Sequence, residues 1–545
     1  MTRRIRLLGP LALSLGLVAL AGAQAPRFYP DDPLAREPES RDASGATPVD
    51  IGLMYDMAFN LFGTSRITPS NVRAKNVNTI DEVPDSGWFT NRILPRRLSA
   101  EDLVRGPNTG APPNPARWTI TREKSAGFSP GFTAKDANGE TWFVSFDSPN
   151  NPEGATAAIV VASKFFWALG YNQVETFITT IDPKTLAIDP SATARRPNGK
   201  RTPMQRGDVD AILERAARGA DGTYRAAAAR LLPGKVLGPF RYEGTRSDDP
   251  NDTVEHQHRR ELRALRVFGA WTNLTDLKAG NTLDTLVTVD GRGAIRHYLQ
   301  DVGSTFGVGA NGPHDWDEGF EYFYEAGPSR KRLLSFGFAL SPWQTAHYQE
   351  FPAIGRFESE AFDPKTWRPH APTTAYMQMR PDDAFWAARR VAAFDDALIR
   401  AIVHEGRFSD RAAEEYLATI LIQRRDKIAR AYLSGVNPLV DPKLSADGEL
   451  TFANAGGAAD GPAEYVARWA QFDNASGDTR PLGDSRGARL PLRAPRDLPS
   501  AAGDMVQIDV TGEGAGHPEW QRPVRLHFRR AADGWTLVGL ERRDR

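Results

Sequence analysis

The 545-residue chain has no cysteine, which excludes disulfide stapling, thiolate metal sites and a lipid-modified cysteine anchor. It has no net formal charge, with 68 Lys and Arg against 68 Asp and Glu, so no global field draws it to nucleic acid or to an anionic membrane. Beyond its N-terminus it has no apolar run long enough to span a bilayer. Lysine is scarce, twelve of those 68 basic residues, so the position of each one carries weight. The rest is ordinary for a globular protein, 40% apolar and 25% charged. A chain of this length exceeds a single core, and two or more folded units are expected.

The N-terminus reads as an address. Arg3, Arg4 and Arg6 precede an apolar run from Leu7 to Ala21, and Ala23-Gln24-Ala25 forms a small-x-small cleavage signature. The expectation is a signal peptide over 1–25, cleavage after Ala25 and a periplasmic or extracellular protein without an integral membrane segment. Arg6 stands where a twin-arginine signal carries an apolar residue, which favours the general secretory route.

Residues 26–115 read as a Pro- and Asp-rich extension with one helix over 51–62, whose crowded apolar residues predict packing against the main body. From residue 116 the period changes to two. Strands are expected at 117–122, 132–136 and 140–147, with Ala137-Asn138-Gly139 as a tight turn and a helix from Glu153 to Leu169 closed by Gly170. Residues 178–222 read as an insertion, a Pro/Arg-rich loop and then a helix from 207. Strands follow at 224–232 and 236–242, then a turn-rich link over 247–252. A helix over 258–271 leads into a loop at 276, and 285–300 reads as a hairpin. Helices are expected over 384–403 and 410–433, and a separate β-rich module over 445–545.

Two short motifs stand out. Asp276-Leu277-Lys278-Ala279-Gly280-Asn281 fits D-x-K-x-x-N, and Asp301-Val302-Gly303 is an Asp-x-Gly at the end of the hairpin. Singly, each is an ordinary cap or turn. In this order, after three antiparallel strands and a helix, they resemble the catalytic loop and metal-binding aspartate of the protein-kinase superfold over roughly 116–435. That resemblance implies an α+β fold with a two-lobed kinase-like core: an antiparallel small lobe over 116–246 and a mostly helical large lobe over 247–440. It implies Asp276 as base, Lys278 as the neutralising lysine, and Asn281 and Asp301 as Mg²⁺ ligands. Gly127 and Gly131 would let backbone approach the phosphates of ATP, and Glu153 would be the helix carboxylate that pairs with a third-strand lysine.

The third-strand lysine is replaced by Ser145, and Asn273-Leu274-Thr275 lacks the histidine usual before the catalytic Asp. Lys124 on the first strand or Lys135 on the second is left to reach the phosphates. The resemblance is closer to atypical secreted or lipid-kinase-like relatives, and implies either a phosphotransferase acting on a hydroxyl acceptor or a pseudokinase binding a ligand or envelope protein.

Other constellations are weaker. Gly127-Phe128-Ser129-Pro130-Gly131 matches G-x-S-x-G, but Pro130 and a strand follow where a nucleophile elbow needs a helix. His256 and His258 beside Glu255 lack a third zinc ligand and read as surface or capping residues. The acidic stretch with His314, Asp315, Asp317, Glu318 and Glu321 reads as a solvated loop.

Overall fold

The computed structural model describes residues 25–543 apart from 125–128, 197–198, 310, 337, 339, 458–461 and 515. The leader over 1–24 and Gly127 lie outside the described residues.

The N-terminal extension contains α1 (Leu53–Phe62) and the short α2 (Ala100–Arg105). The latter is fixed by a Ser99/Asp102 capping box and is too short for periodicity to announce. Helix α1 meets the body through Asp56 and Phe62 rather than through its whole apolar surface: Met54 and Tyr55 are each 75% exposed, and Asn60 is the buried member. Apolar residues on every side of a ten-residue helix cannot all face one neighbour.

A seven-stranded sheet follows. It is built from β1 (Trp118–Glu123), β2 (Gly131–Lys135), β3 (Thr141–Phe146), β4 (Thr176–Ile181), β5 (Leu186–Arg195), β6 (Arg201–Pro203) and β7 (Tyr224–Arg230). Helix α3 (Gly154–Leu169) comes between β3 and β4, and α4 (Arg206–Glu214) between β6 and β7. The strand order is β4-β7-β3-β2-β1-β5-β6, antiparallel except for the β1–β5 pair. The Pro/Arg-rich loop expected within 178–222 is corrected to strands, while the helix expected after it is present as α4. β5 and β6 join the sheet at one edge and β4 at the other, and β5 is largely half-buried, where the alternation that betrays a strand is weak. Even-numbered side chains (Trp118, Ile120, Phe132, Trp142, Val144, Phe146) share one core with Val209 and Ile212 of α4. Because side chains alternate across a strand, Ser145 falls on the opposite face.

A second sheet, ordered β10-β9-β8, comprises β8 (Lys235–Gly238), β9 (Thr282–Val289) and β10 (Arg292–Leu299). Helix α5 (Arg260–Thr272) precedes β9, and α6 (Ala326–Leu334), α7 (Thr374–Met377), α8 (Pro381–Ala392), α9 (Asp396–His404) and α10 (Arg411–Tyr432) follow. The single helix expected over 384–403 is two. Asp395 accepts from the Leu398 amide at 2.9 Å and starts α9 afresh, while Phe394 plugs the corner. His256 and His258 are buried rather than exposed, and His256 Nε2 lies 2.7 Å from Asp252.

Strands β11 (Leu439–Leu444), β12 (Glu449–Asn454), β13 (Glu464–Phe472), β14 (Thr479–Gly487), β15 (Leu492–Arg493), β16 (Met505–Glu513), β17 (Val524–Ala531) and β18 (Gly534–Arg542) end the chain. They form sheets ordered β11-β12-β15 and β14-β13-β16-β17-β18. Phe28 from the extension packs edge-on against Phe472 with ring centroids 6.1 Å apart. No described helix is long and apolar enough to cross a membrane.

The start of α5 is held by a buried ion network. Arg260, fully buried, donates to Asp81 at 2.8 Å, Asp382 at 3.2 Å and Asp383 at 3.0 Å, and Arg263 meets Asp383 at 3.1 Å. Next to it, Glu82 receives Arg389 at 2.6 Å and Arg390 at 3.1 Å. Burial alone would raise the Glu82 pKa, but the two guanidiniums outweigh it and hold it down at about 2.

Removing one member of a buried pair leaves a charge without compensation. Arg260→Ala is therefore expected to cost about 3–5 kcal/mol in urea unfolding. Because the folded Glu82 value lies below its ordinary 4.5, its contribution is complete above that pH and lost as pH falls towards about 2. Stability should decline through this acid window, and less steeply in Glu82→Gln.

Candidate functional site

The loop after α5 is shaped by what it buries. Asn273 ends the helix in the left-handed conformation at φ 57°, which asparagine tolerates better than most residues. Its side-chain oxygen accepts from the Trp367 indole at 2.8 Å. Leu274, Leu277 and Ala279 then enter the core, leaving Asp276 and Lys278 on the open side. Lys278 Nζ lies 2.7 Å from Asp276 Oδ2, with each side chain 35% exposed. A pair this exposed contributes only ~0–1 kcal/mol, so its consequence is placement.

Asn281 is held on three sides. Its Nδ2 donates to the Asp276 carbonyl at 2.9 Å, its amide to the Lys278 carbonyl at 3.0 Å, and its own carbonyl accepts from the Asp301 amide at 3.0 Å. The last bond returns the chain leaving β10 to the side of the loop. Asp301 is exposed, and its Oδ1 accepts from the Gly303 amide at 3.0 Å. Gly303 has no room for a side chain: a Cβ there would stand 2.6 Å from Ile159 Cγ1 on α3. The Asp-x-Gly turn thus rests directly on the helix that follows the first three strands.

Lys124 lies just after β1, and its Nζ donates to Ser145 Oγ at 3.2 Å. Burial pushes the ammonium pKa below its ordinary value, the Asp301 carboxylate pulls it up, and Arg215 presses it down. Gly131 makes this reach possible. A Cβ at residue 131 would collide with the Val144 carbonyl and lie 3.3 Å from both Lys124 Cδ and Ser145 Cα. Close strand and lysine packing by itself requires glycine there.

The structure therefore brings together Asp276, Lys278, Asn281 and Asp301, with Gly131 beneath Lys124. Two expected residues lie elsewhere. Lys135 is exposed at the far end of β2 beside Asp189, roughly 13 Å along the strand from Gly131 at about 3.3 Å per residue. Glu153 begins α3 in a left-handed conformation, φ 66°, and its carboxylate accepts from the Ser409 amide at 2.9 Å and faces Arg225. It is a tether to the start of α10, not the partner of a sheet lysine.

Three residues with no assigned role in the sequence support the loop. Asp56 on α1 accepts from the Ala279 amide, and burial raises its pKa. Glu318 accepts from Thr275 Oγ1 at 2.5 Å. His314 is buried, with Nε2 2.9 Å from Ser304 Oγ; burial pushes its pKa down against the Glu318 and Asp276 carboxylates. The stretch read as a solvated acidic loop is thus partly interior, with Glu321 buried as well. An aspartate four residues into a helix carries no signal of such a contact in sequence.

For a divalent cation, the Asn281 amide is pinned through its nitrogen, so its oxygen is the atom left to offer, and Asp301 adds a carboxylate. Mg²⁺ is held by one or two such oxygens together with substrate phosphates, so this pair fits it. Among the described residues, no group of three or more His, Asp or Glu gathers at metal-holding spacing.

No family model and no curated protein matches the chain. Solved structures similar to it include the Golgi casein kinase with Mn/ADP bound, at 12% identity over 73% of this chain and 94% of that one, TM-score 0.31. A second Golgi casein kinase structure has 13% identity, covering 73% and 96%, TM-score 0.29. The Helicobacter pylori proinflammatory kinase CtkA has 12% identity, covering 58% and 98%, TM-score 0.29. At such values the residues above stand on their own geometry.

Gly303→Ala is expected to destabilise the chain by about 1–3 kcal/mol through overpacking against Ile159. Ile159→Ala should relieve part of that cost, so a double-mutant cycle in urea should show coupling; simple additivity would refute the contact.

Proposed function

We propose that this chain is an exported, kinase-like phosphotransferase that moves the γ-phosphoryl group of ATP to a hydroxyl acceptor. The observation that carries this reading is the hydrogen-bonded run from Lys278 through Asp276 and Asn281 to Asp301, with the Lys124 ammonium close enough to feel the Asp301 charge. Catalysis of this kind rests on positioning and charge neutralisation, which is what these side chains offer.

Asp276 takes the acceptor's hydroxyl proton as the acceptor oxygen bonds to the γ-phosphorus. The bond from that phosphorus to the bridging oxygen breaks, and its electron pair leaves on ADP. Lys278, paired with Asp276, neutralises the transferred group. Lys124, held at Ser145, contacts the nucleotide phosphates in place of a third-strand lysine. Mg²⁺ held by Asn281 and Asp301 would neutralise charge on the phosphate oxygens.

One observation favours a second reading, a pseudokinase that binds a ligand or an envelope partner. In active kinases the sheet lysine pairs with the helix carboxylate, whereas here Glu153 is committed to Ser409.

Nucleotide-dependent melting separates the readings. With Mg²⁺–ATP at a hundred times its Kd, stability should rise by about 2.7 kcal/mol; no shift with ATP, ADP or Mg²⁺ supports partner binding instead. Asp276→Asn should keep that shift and lower turnover by about 10²–10⁴. Since burial lowers the Lys124 pKa, its charge costs stability in the folded state. Lys124→Met should melt at a higher temperature than the parent while its nucleotide-induced shift shrinks.

A further inference from the structure

Apolar surface on this protein is concentrated. Among the described residues, twelve of the nineteen exposed large hydrophobic side chains fall within two stretches, 53–62 and 323–340. The stretches meet: the Phe62 ring of α1 lies 5.7 Å from Phe323 and 6.0 Å from Tyr324, centroid to centroid. Beyond Tyr324 the chain enters α6, and after it Phe336 and Phe338 stand 91% and 88% exposed, with Leu333, Leu334 and Leu340 also in solvent.

This outward display is braced from within. Buried Glu321 receives Arg332 at 2.7 Å, Ser341 Oγ at 2.6 Å and Trp343 Nε1 at 3.0 Å, so one carboxylate ties down both ends of the segment between. With Arg332 paired to Glu321 and Glu325 to Arg368, the charges left in solvent beside them are basic. Residues 326–349 contain Arg330, Lys331 and Arg332 and no Asp or Glu, in a chain whose overall charge is zero. Arg330 and Lys331 are exposed, and Arg66 lies over the Tyr324 ring at 5.5 Å.

We propose that Arg330 and Lys331 of α6, with Leu333, Leu334, Phe336, Phe338 and Leu340, form a docking surface for an anionic phospholipid bilayer. Leu333, Leu334, Phe336 and Phe338 enter the headgroup–acyl boundary while Arg330 and Lys331 meet the phosphates. Adjoining apolar and basic groups are what such a boundary binds, since hydrophobic burial and headgroup attraction add. A protein partner of acidic, apolar surface would need an opposing shape, whereas a bilayer accepts the protruding side chains as they stand. Docking here also brings the Asp276 loop to the membrane, because α1, which joins this surface through Phe62, carries the Asp56 that receives the Ala279 amide.

The test is vesicle co-sedimentation of the chain from Pro26 to Arg545, so that the leader plays no part. Phosphatidylglycerol-containing vesicles should bind it, and phosphatidylcholine vesicles should bind it at least tenfold less. Leu334→Ser/Phe338→Ser should reduce binding at least tenfold, and Arg330→Gln/Lys331→Gln about thirtyfold at low salt. Both should melt as the parent does, since all four side chains project outward. Asp276→Asn should bind vesicles unchanged, which keeps this outcome separate from that of phosphotransfer. Equal binding to both vesicle types, no binding to either, or binding indifferent to the substitutions overturns the proposal. So does concentration-dependent dimerisation by light scattering that the Leu334/Phe338 variant abolishes, which would assign the surface to a second copy.

Discussion

A guanidinium with no access to water holds this protein in register. Arg260 sits at the first turn of α5 and gathers Asp81 from the N-terminal extension and Asp382 and Asp383 from the start of α8. Taking those charges out of water is costly, and only their mutual attraction offsets the cost. The arrangement therefore works as a keyed joint: three separate segments must arrive before the Arg260 guanidinium meets all its carboxylates. Arg542 from the last strand adds to it by meeting Asp81 at 3.2 Å. Helix α5, fixed at its start in this way and sheathed by Leu262, Leu265 and Phe268, delivers the Asp276 loop from a rigid base.

The site is assembled from that base by short, local links. Main-chain bonds carry it from Lys278 to Asn281 and from Asn281 to Asp301, and Gly303 lets the Asp301 turn lie against α3. The sheet contributes through packing: Gly131 leaves the gap in which the Lys124 stem crosses to Ser145. The Lys124 ammonium thus reaches β3 from across a strand pair, at Ser145. Its charge is balanced by Asp301 rather than by the first residue of the helix.

Much of this was legible in the residues. Alternation marked β1 to β3, Gly170 marked the end of α3, and the hairpin preceding Asp301 was announced by Asp290-Gly291. D-x-K-x-x-N and Asp-x-Gly named side chains that the fold does bring side by side. What escaped was long-range. The β1–β5 pairing is parallel and lies at a half-buried edge, so no local period reports it. Lys124 and Lys135 are indistinguishable by residue type, and strand rise alone separates them, one beside Ser145 and one at the far end of β2. The apolar face of α1 was misread because hydrophobicity shows a wish to leave water without naming the destination.

The extension has one more consequence. Arg27 pairs with Glu541, Phe28 packs on Phe472, and Tyr29 and Pro30 give their carbonyls to Arg529. Residues 27–30 thus have their neighbours in strands far along the chain, β13, β17 and β18. Such distant pairings raise contact order and slow folding, and a growing chain cannot close this seam until those strands exist. Until then Phe28 keeps its ring in water, and a helper that shields it would hold the seam open for closure.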